Sequence, residues 1–458
     1  MFSIAIMEVL AKLPLAQLGQ TLMEFVQPFV QELPDRRLQR VVPQAVQGIL
    51  GSQTPVVTGM AQSTSRLEAD VWPTAKRIYR FLNNPRLSAD TLFEGLYRVA
   101  QHTVAHEQPS YLVIAVDPVN FEKPYTHHLE GVCTVHKSTP PDRHGKARLR
   151  LTRGYPAITA TIVNTRTPAT TYANWFSYTL DFLSQNHEIR CALVQSRKLF
   201  GFGEHQLRFV GDSGLDDQKI FGWVEECQAE FVIRASHLER IVQIYNPHRV
   251  EWEAEHLQEL VDTVPFEAEW LVEFKHAGYT RQAVIQVGWM RVRLPESERE
   301  LWVLVAYEGA TEGIEGAKQR TLVLLTNVPI QSVKQAQCVY SDWRLRSRIE
   351  HGYRFDQEQG LDVEDMRVQT VERMRRLFAL VLMAAQFVFY LMDSWPPVGV
   401  QWLREVGGKL GLGIDRDGPY LLLRGLSAVW QTVATLTHLA LHPFPHHAFL
   451  SQEGQRCG

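Results

Sequence analysis

Residues 111–117 read YLVIAVD, a continuous apolar run that ends on the acidic Asp117. Runs of this kind are typical of strands that are buried on both faces of a sheet. Three similar runs follow, AITATIV at 157–163, LRFVGD at 207–212 and EFVIRA at 230–235. Helical patterns lie between them, around 170–186 and 216–228, and this alternation predicts an α/β fold.

Helical patterns precede this sheet, and short β-type runs follow it. In residues 1–105 apolar residues recur at helical spacing, and AKRIYRFLNNPRLS (75–88) groups Lys76, Arg77 and Arg80. The sheet pattern returns at TLVLLTN, residues 321–327. The sequence therefore predicts five segments: a helical region (1–105), the first part of an α/β core (106–240), a β-rich insertion (241–321), the second part of the core (322–395) and a helical C-terminal appendage (396–458).

The composition is that of an ordinary globular protein. The chain has 458 residues, of which 45% are hydrophobic and 21% charged, and this excludes a collagen, a coiled coil or a disordered tail. The five cysteines are scattered without a CxxC pair, which argues against a disulfide framework or structural zinc and favours the reducing cytosol. The longest apolar run, 377–392, is shorter than the ~20 residues of a membrane span and predicts a buried helix.

The charge is unevenly distributed. The net charge is −3, but residues 241–320 alone carry −6, so the rest of the chain carries +3. The stretch 137–153, KSTPPDRHGKARLRLTR, is basic, and its first half has the Pro and Gly content of a loop. Such a loop can follow a phosphate backbone, although charge alone favours an ordinary solvated loop. The DNA-contacting candidates in this stretch are Lys146, Arg148 and Arg150.

Two acids follow apolar runs in the same way, Asp117 after YLVIAV and Asp212 after LRFVG. In open α/β sheets the carboxyl ends of strands face the ligand crevice, so a carboxylate there is well placed to hold a metal ion. The alternative for each acid taken alone is that it caps a turn.

A third candidate region is the helical stretch 340–362, which contains Glu350. Residues at helical spacing from Glu350 share its face, and an acid among basic and aromatic residues suits a surface that holds a metal and DNA phosphates. The plainer alternative is an Arg346–Glu350 ion pair on an ordinary helix. The candidate DNA-contacting residues of this stretch are Trp343, Arg346, Tyr353, Arg354 and Gln357.

Taken in order, these pieces resemble the DDE transposases of bacterial insertion sequences, in the cut-and-paste group. That group has the signature Y-x2-R-x3-E-x6-K around its last catalytic acid. This chain has Trp343, Arg346, Glu350 and Gln357 at those spacings, so an aromatic residue replaces the Tyr and a Gln replaces the Lys. VIAVDPVN and FVGDSGLDD resemble the regions of the first two acids, and AKRIYRFLNNPRLS resembles the family's helical DNA-binding region.

The resemblance implies an RNase H-like mixed sheet with a β-rich insertion, preceded by a helical DNA-binding region. It implies that Asp117, Asp212 and Glu350 bind two Mg²⁺ ions, for which Mn²⁺ can substitute, and catalyse cleavage and strand transfer. The implied partners are double-stranded DNA, as transposon ends bearing terminal inverted repeats and as target, and a second copy of the chain in a homodimer. The implied location is the bacterial cytoplasm, at the nucleoid and away from any membrane.

Other functions fit parts of the same sequence. A transposase-derived DNA-binding protein without catalysis is supported by Gln357 and opposed by the three acids. A non-transposing metal nuclease needs the same acids, and a glycosidase with paired acids needs no metal and no arginine beside Glu350. An α/β protein whose acids are purely structural requires all the matches to be accidental.

Overall fold

The computed structural model describes residues 13–31, 33–64, 71–124, 128–138, 149–276, 279–308, 320–408 and 418–441. Its helices are α1 Leu15–Gln31, α2 Arg36–Ser52, α3 Val57–Thr64, α4 Val71–Leu82, α5 Ala89–Glu107, α6 Gln185–Phe200, α7 Gln218–Glu226, α8 Leu257–Thr263, α9 Val333–Leu345, α10 Ser347–Arg354, α11 Val371–Ser394, α12 Pro397–Gly408 and α13 Gly418–Leu441. Its strands are β1 Leu112–Glu122, β2 Cys133–Ser138, β3 Leu149–Ile162, β4 Ala169–Trp175, β5 Leu207–Gly211, β6 Glu230–Arg234, β7 Ile241–Asn246, β8 Glu251–His256, β9 Ala268–His276, β10 Tyr279–Arg293, β11 Glu300–Glu308 and β12 Arg320–Thr326.

The chain divides into two compact units. The helical unit comprises Met1–Gly95, His128–Glu130 and Arg354–Gly458, and the sheet unit comprises Leu96–His127 and Gly131–Tyr353. This division into two units groups the two ends of the chain together and does not test the five predicted segments, which stay predictions.

The helical unit is built around α11, which packs against α1, α2, α4 and α13. Among the described residues, α11 is the one helix long and apolar enough to cross a membrane, and 72% of its most apolar window is buried inside the protein. Burial of this extent is typical of a core helix. Its arginine Arg376 donates hydrogen bonds to the carbonyls of Leu82 (2.7 Å) and Asn84 (3.1 Å), which satisfies the end of α4.

The sheet unit contains one large mixed sheet with the strand order β2-β3-β1-β5-β6-β12-β11-β10-β7-β8. In addition, β4 pairs with β3 and β9 pairs with β10. Strands β1, β5 and β6 are parallel to each other, and the remaining pairs are antiparallel. The insertion strands β7–β11 lie between β6 and β12 in the sequence, and β12 returns to pair with β6. The predicted mixed sheet with a β-rich insertion and preceding helices is confirmed.

The continuous apolar run of β1 is explained by a hydrophobic core on each face of the sheet. Leu112, Ile114 and Val116 pack into one core, and Val113 and Ala115 pack into the other. Because side chains alternate between faces, a strand covered on both sides is apolar at every position.

Three local expectations are wrong. The first strand does not end at Asp117, because antiparallel pairing with β3 continues it to Glu122. The stretch 170–186 was predicted to be helical, but most of it is not. Its β-branched and aromatic start forms β4, and the next helix begins only at Gln185. Residues 340–362 do not form one helix, because the amide of Arg346 bonds to the carbonyls of Arg344 and Trp343, and this tight turn separates α9 from α10.

Candidate active site

Two of the three candidate acids are brought together by the pairing of β1 with β5. The parallel register runs from Leu112↔Leu207 to Ala115↔Val210, so Asp117 and Asp212 occupy equivalent positions two residues beyond the last pair. Neighbouring strands lie about 5 Å apart, and both acids therefore stand side by side. The sequence predicted that the two acids lie together, although only Asp212 follows the end of its strand.

Asp212 is fixed by the turn that follows β5. Its carboxylate accepts a hydrogen bond from the amide of Ser213 at 2.8 Å and caps the short 3-10 helix Ser213–Leu215. A Cβ at Gly211 would come within 2.6 Å of Leu215 Cδ2 and 3.2 Å of its Cβ, so a side chain before the acid would require Leu215 to shift. The Ser213 amide bonds to Oδ1 of this carboxylate, and the other oxygen, Oδ2, faces the guanidinium of Arg346.

The third acid, Glu350, reaches the same place through an arginine. Arg346 Nη1 lies 2.7 Å from Glu350 Oε1, one helical turn away, and Arg346 Nη2 lies 3.9 Å from Asp212 Oδ2. The plain helical ion pair anticipated from the spacing is therefore present, and the same guanidinium also pairs with an acid from a distant strand. The Nε–H of Arg346 is buried and has no acceptor among the described residues.

Asp117 is half-buried, and the pKa of its carboxyl group is higher than usual. Burial raises its pKa to about 7, and the positive charge of Arg346 opposes the rise. The carboxylates of Glu350 and Asp212 add to the rise, which shows that all three acids interact electrostatically.

Two aromatic residues hold the backbone beside the strand acids. The indole Nε1 of Trp343 donates to the carbonyl of Gly211 at 3.1 Å, directly before Asp212. The hydroxyl of Tyr353 donates to the carbonyl of Asp117 at 2.8 Å and lies 2.5 Å from the hydroxyl of Thr159. Their contacts with DNA stay predictions, while their observed contacts position the acids.

Two functional residues were missed by the sequence reasoning. Arg234, the last residue of β6, lies 3.7 Å from Asp212 and gives this acid a second cationic neighbour. Arg348 donates to the carbonyls of Val163, Thr165 and Arg166 and so anchors the helix that carries Glu350. The first could have been found from its position at the end of a strand parallel to β5, whereas nothing local marks the second.

A divalent cation fits the donor set of this site, although the acids are now held by an arginine. Three carboxylates are the hard oxygen ligands that Mg²⁺ prefers, and the guanidinium of Arg346 stands where they attract positive charge. Within the described parts of the chain, no three His, Cys, Asp or Glu side chains are already grouped as a metal site.

The predicted DNA-contacting residues are distributed over both units. On α4 of the helical unit, Lys76, Arg77 and Arg80 are exposed, with Lys76 5.6 Å from the Trp72 ring centre and Arg77 3.2 Å from Gln44 Oε1. Arg150 on β3 pairs with Glu122 at 2.6 Å. Lys146 and Arg148 lie outside the described residues, and Arg354 and Gln357 belong to the helical unit.

Comparisons with known proteins give little beyond this geometry. No family model and no curated protein matches the sequence. A solved structure of a piggyBac transposase synaptic complex with hairpin DNA is similar over 94% of this chain and 84% of that chain, with a TM-score of 0.39 and 8% identity.

Proposed function

We propose that this chain is a DNA transposase in which Asp117, Asp212 and Glu350 are the catalytic carboxylates. One observation carries the proposal: Glu350 and Asp212 pair with the same guanidinium, and Asp117 occupies the position equivalent to Asp212 on the neighbouring strand. Gathering three acids from distant elements costs stability through repulsion and burial. Such costs are typical of sites kept for chemistry.

The reaction class follows from the ligand chemistry and from the resemblance of the motifs. Asp117, Asp212 and Glu350 would hold two Mg²⁺ ions, or Mn²⁺ in their place, which activate a water molecule and neutralise charge on the phosphate oxygens. The unpaired Nε–H of Arg346 supports a further role, because a guanidinium released from the acids can donate to a phosphate oxygen.

The substrate of this activity is double-stranded DNA. Water frees a 3′-hydroxyl at the end of the element, and that hydroxyl then attacks target DNA at the same carboxylates. Two ends must be joined, so we expect a homodimer bound to terminal inverted repeats. A bacterial insertion sequence would place the protein in the cytoplasm at the nucleoid.

A second candidate function is a transposase-derived protein that binds DNA without cutting it. The observation that favours it is the present state of the acids, which Arg346 holds in ion pairs. The Gln at 357 also lacks the charge of the Lys in the motif. Under this alternative, Gln357→Lys leaves cleavage absent, and only the affinity for DNA rises.

An excision assay tests the function. The substrate is a supercoiled plasmid in which the two ends of the encoding element flank a marker, with Mg²⁺ or with EDTA. We expect the wild-type chain to release the marker fragment, and Glu350→Gln or EDTA to abolish release. Wild-type and Glu350→Gln chains that bind the ends equally but never cut would establish the second candidate instead.

A further inference from the structure

The sheet unit contains an open cavity of about 430 Å³ where the helices α6 and α7 begin. The residues that line it include Asn186, His187 and Arg190 of α6 and Lys219 and Trp223 of α7. A volume of this size lies within the ~300–1,000 Å³ of small-ligand pockets. We call this space the helix-pair cavity.

The helix-pair cavity combines basic side chains with a planar ring. Arg190, His187 and Lys219 are exposed to solvent, and the guanidinium of Arg190 lies 5.5 Å from the centre of the Trp223 ring. Arg190 Nη2 also donates to Glu226 Oε2 at 3.2 Å. These two contacts fix the guanidinium, which has five N–H donors and can therefore still bind an anion in the cavity.

The acids next to the cavity do not cancel this positive charge. Asp217 caps α7, and its oxygens accept from the amide of Lys219 at 2.8 Å and from Asn186 Nδ2 at 2.9 Å. The side chains of Arg190 and Glu226 are 49% and 62% exposed. Because exposed ion pairs are weak, a phosphate can take the place of Glu226 at little cost, so the cavity suits an anion.

The helix-pair cavity lies at the strand end that carries Asp212. The apolar sides of α6 and α7 pack into the core on one face of the sheet, and α9 and α10 pack into the core on the other face. The chain crosses from Asp212 to the start of α7 over the end of β5. Seven residues separate Asp212 from Lys219, and they span at most ~25 Å. A DNA strand at the acids can therefore reach the cavity by the same path.

We propose that the helix-pair cavity binds one unpaired nucleotide of the DNA substrate. The phosphate lies at Arg190 and Lys219, and the base stacks on the pair formed by Arg190 and Trp223. Bases stack on indole rings and on guanidinium planes whatever their identity, but only when they are unpaired and their faces are free. The assignment to DNA rests on the proposed function, because a free nucleotide has the same chemistry.

The test compares the double variant Arg190→Gln, Lys219→Gln with a matched control, Arg291→Gln, Lys198→Gln. The control removes an exposed arginine that pairs with Glu300 and an exposed lysine in the last turn of α6. Two duplexes that carry the terminal sequence of the encoding element serve as probes, one blunt and one with a single-stranded tail at the end that is cut. Fluorescence anisotropy gives the affinities, with and without thymidine monophosphate as competitor.

We expect the tail to raise the affinity of the wild type and of the control about tenfold, because one more nucleotide is bound. The double variant should bind the tailed and the blunt duplex equally, and its binding of the blunt duplex shows that it is folded. Arg190→Lys keeps the charge and loses the plane, so we expect it to lose most of the gain from the tail.

A tail that adds nothing to the affinity of the wild type, or a gain that the double variant keeps, overturns the proposal. Binding of thymidine monophosphate without any effect of the tail would assign the cavity to a free nucleotide and would overturn its assignment to DNA. Excision by the wild type, measured on the same preparations, distinguishes these outcomes from failure of the transposase function, in which the wild type does not cut.

Discussion

The hydroxyl of Tyr353 donates a hydrogen bond to the backbone carbonyl of Asp117, 2.8 Å away, and so ties the helix of Glu350 to the strand of the first acid. Trp343 makes the corresponding bond to Gly211, directly before Asp212. Each strand acid thus has an aromatic residue from the Glu350 region bound to its backbone. We infer that these aromatic residues hold the backbone that carries the strand acids in position.

Tyr353→Phe tests this positioning role. The variant leaves the Asp117 carbonyl and the Thr159 hydroxyl without their partner, which costs about 1–2 kcal/mol of unfolding free energy. We expect DNA cleavage to fall about tenfold, because the carboxylate spacing loosens. Urea unfolding and cleavage rates measure both effects. Tyr245→Phe on the exposed β7 is the control, and equal behaviour of the two variants would refute the role.

Arg346→Gln tests whether the central guanidinium acts in the reaction. The variant removes the counter-ion of Glu350 and Asp212 and the phosphate donor that we propose. We expect cleavage to fall about 10²–10³-fold, as it does when a donor to a developing charge is lost, with partial recovery in Arg346→Lys. Arg291→Gln, which breaks the exposed pair with Glu300 in the insertion, should leave cleavage unchanged. An active Arg346→Gln chain would exclude the role.

The raised pKa of Asp117 predicts a pH-dependent stability in metal-free buffer. Its folded-state pKa of about 7 lies above the ordinary value of 3.8, so the protonated form stabilises the fold at low pH and this contribution is lost as pH rises through 7. Allowing for partial exposure, we expect the wild type to lose about 2 kcal/mol relative to Asp117→Asn between pH 4 and pH 8. Urea unfolding at both pH values measures the difference. Parallel pH profiles of the two chains would contradict the raised pKa.

The cations on α4 predict a salt-dependent affinity for DNA. Lys76, Arg77 and Arg80 are exposed on one helix, where a solvent-exposed cation can approach a phosphate. Replacing all three by Gln should lower the slope of log affinity against log salt by up to ~2.7, at ~0.9 for each phosphate contact. Fluorescence anisotropy at several salt concentrations provides the slope. Arg249→Gln in the acidic insertion is the control, and an unchanged slope in the triple variant would remove α4 from the DNA interface.

The sequence predicted the parts of this molecule that depend on local pattern. The apolar runs predicted the strands, and the acids after YLVIAV and LRFVG stand side by side because β1 and β5 are parallel and in register. The Arg346–Glu350 pair followed from helical spacing. Contacts made across the fold could not be predicted, because their partners are distant in the sequence. Examples are the ion pair of Arg346 with Asp212 and the hydrogen bonds of Arg348 to three carbonyls.

The boundaries were the weakest predictions for a related reason. An apolar run indicates where a strand is buried but not where its hydrogen bonding stops, so β1 continues to Glu122 through its pairing with β3. No Pro or Gly marks the turn at Arg346, so the sequence there does not differ from that of a continuous helix.

Metal rescue of cysteine variants tests the central claim most directly. A thiolate binds Mg²⁺ poorly and softer ions such as Mn²⁺ better, so it changes the metal preference of a ligand position without removing the ligand. We predict that Asp117→Cys and Asp212→Cys do not cut the end-bearing plasmid in Mg²⁺ and regain cleavage in Mn²⁺, whereas the Ala variants are inactive in both. Cysteine variants that cut in Mg²⁺ as the wild type does would contradict metal binding by these carboxylates.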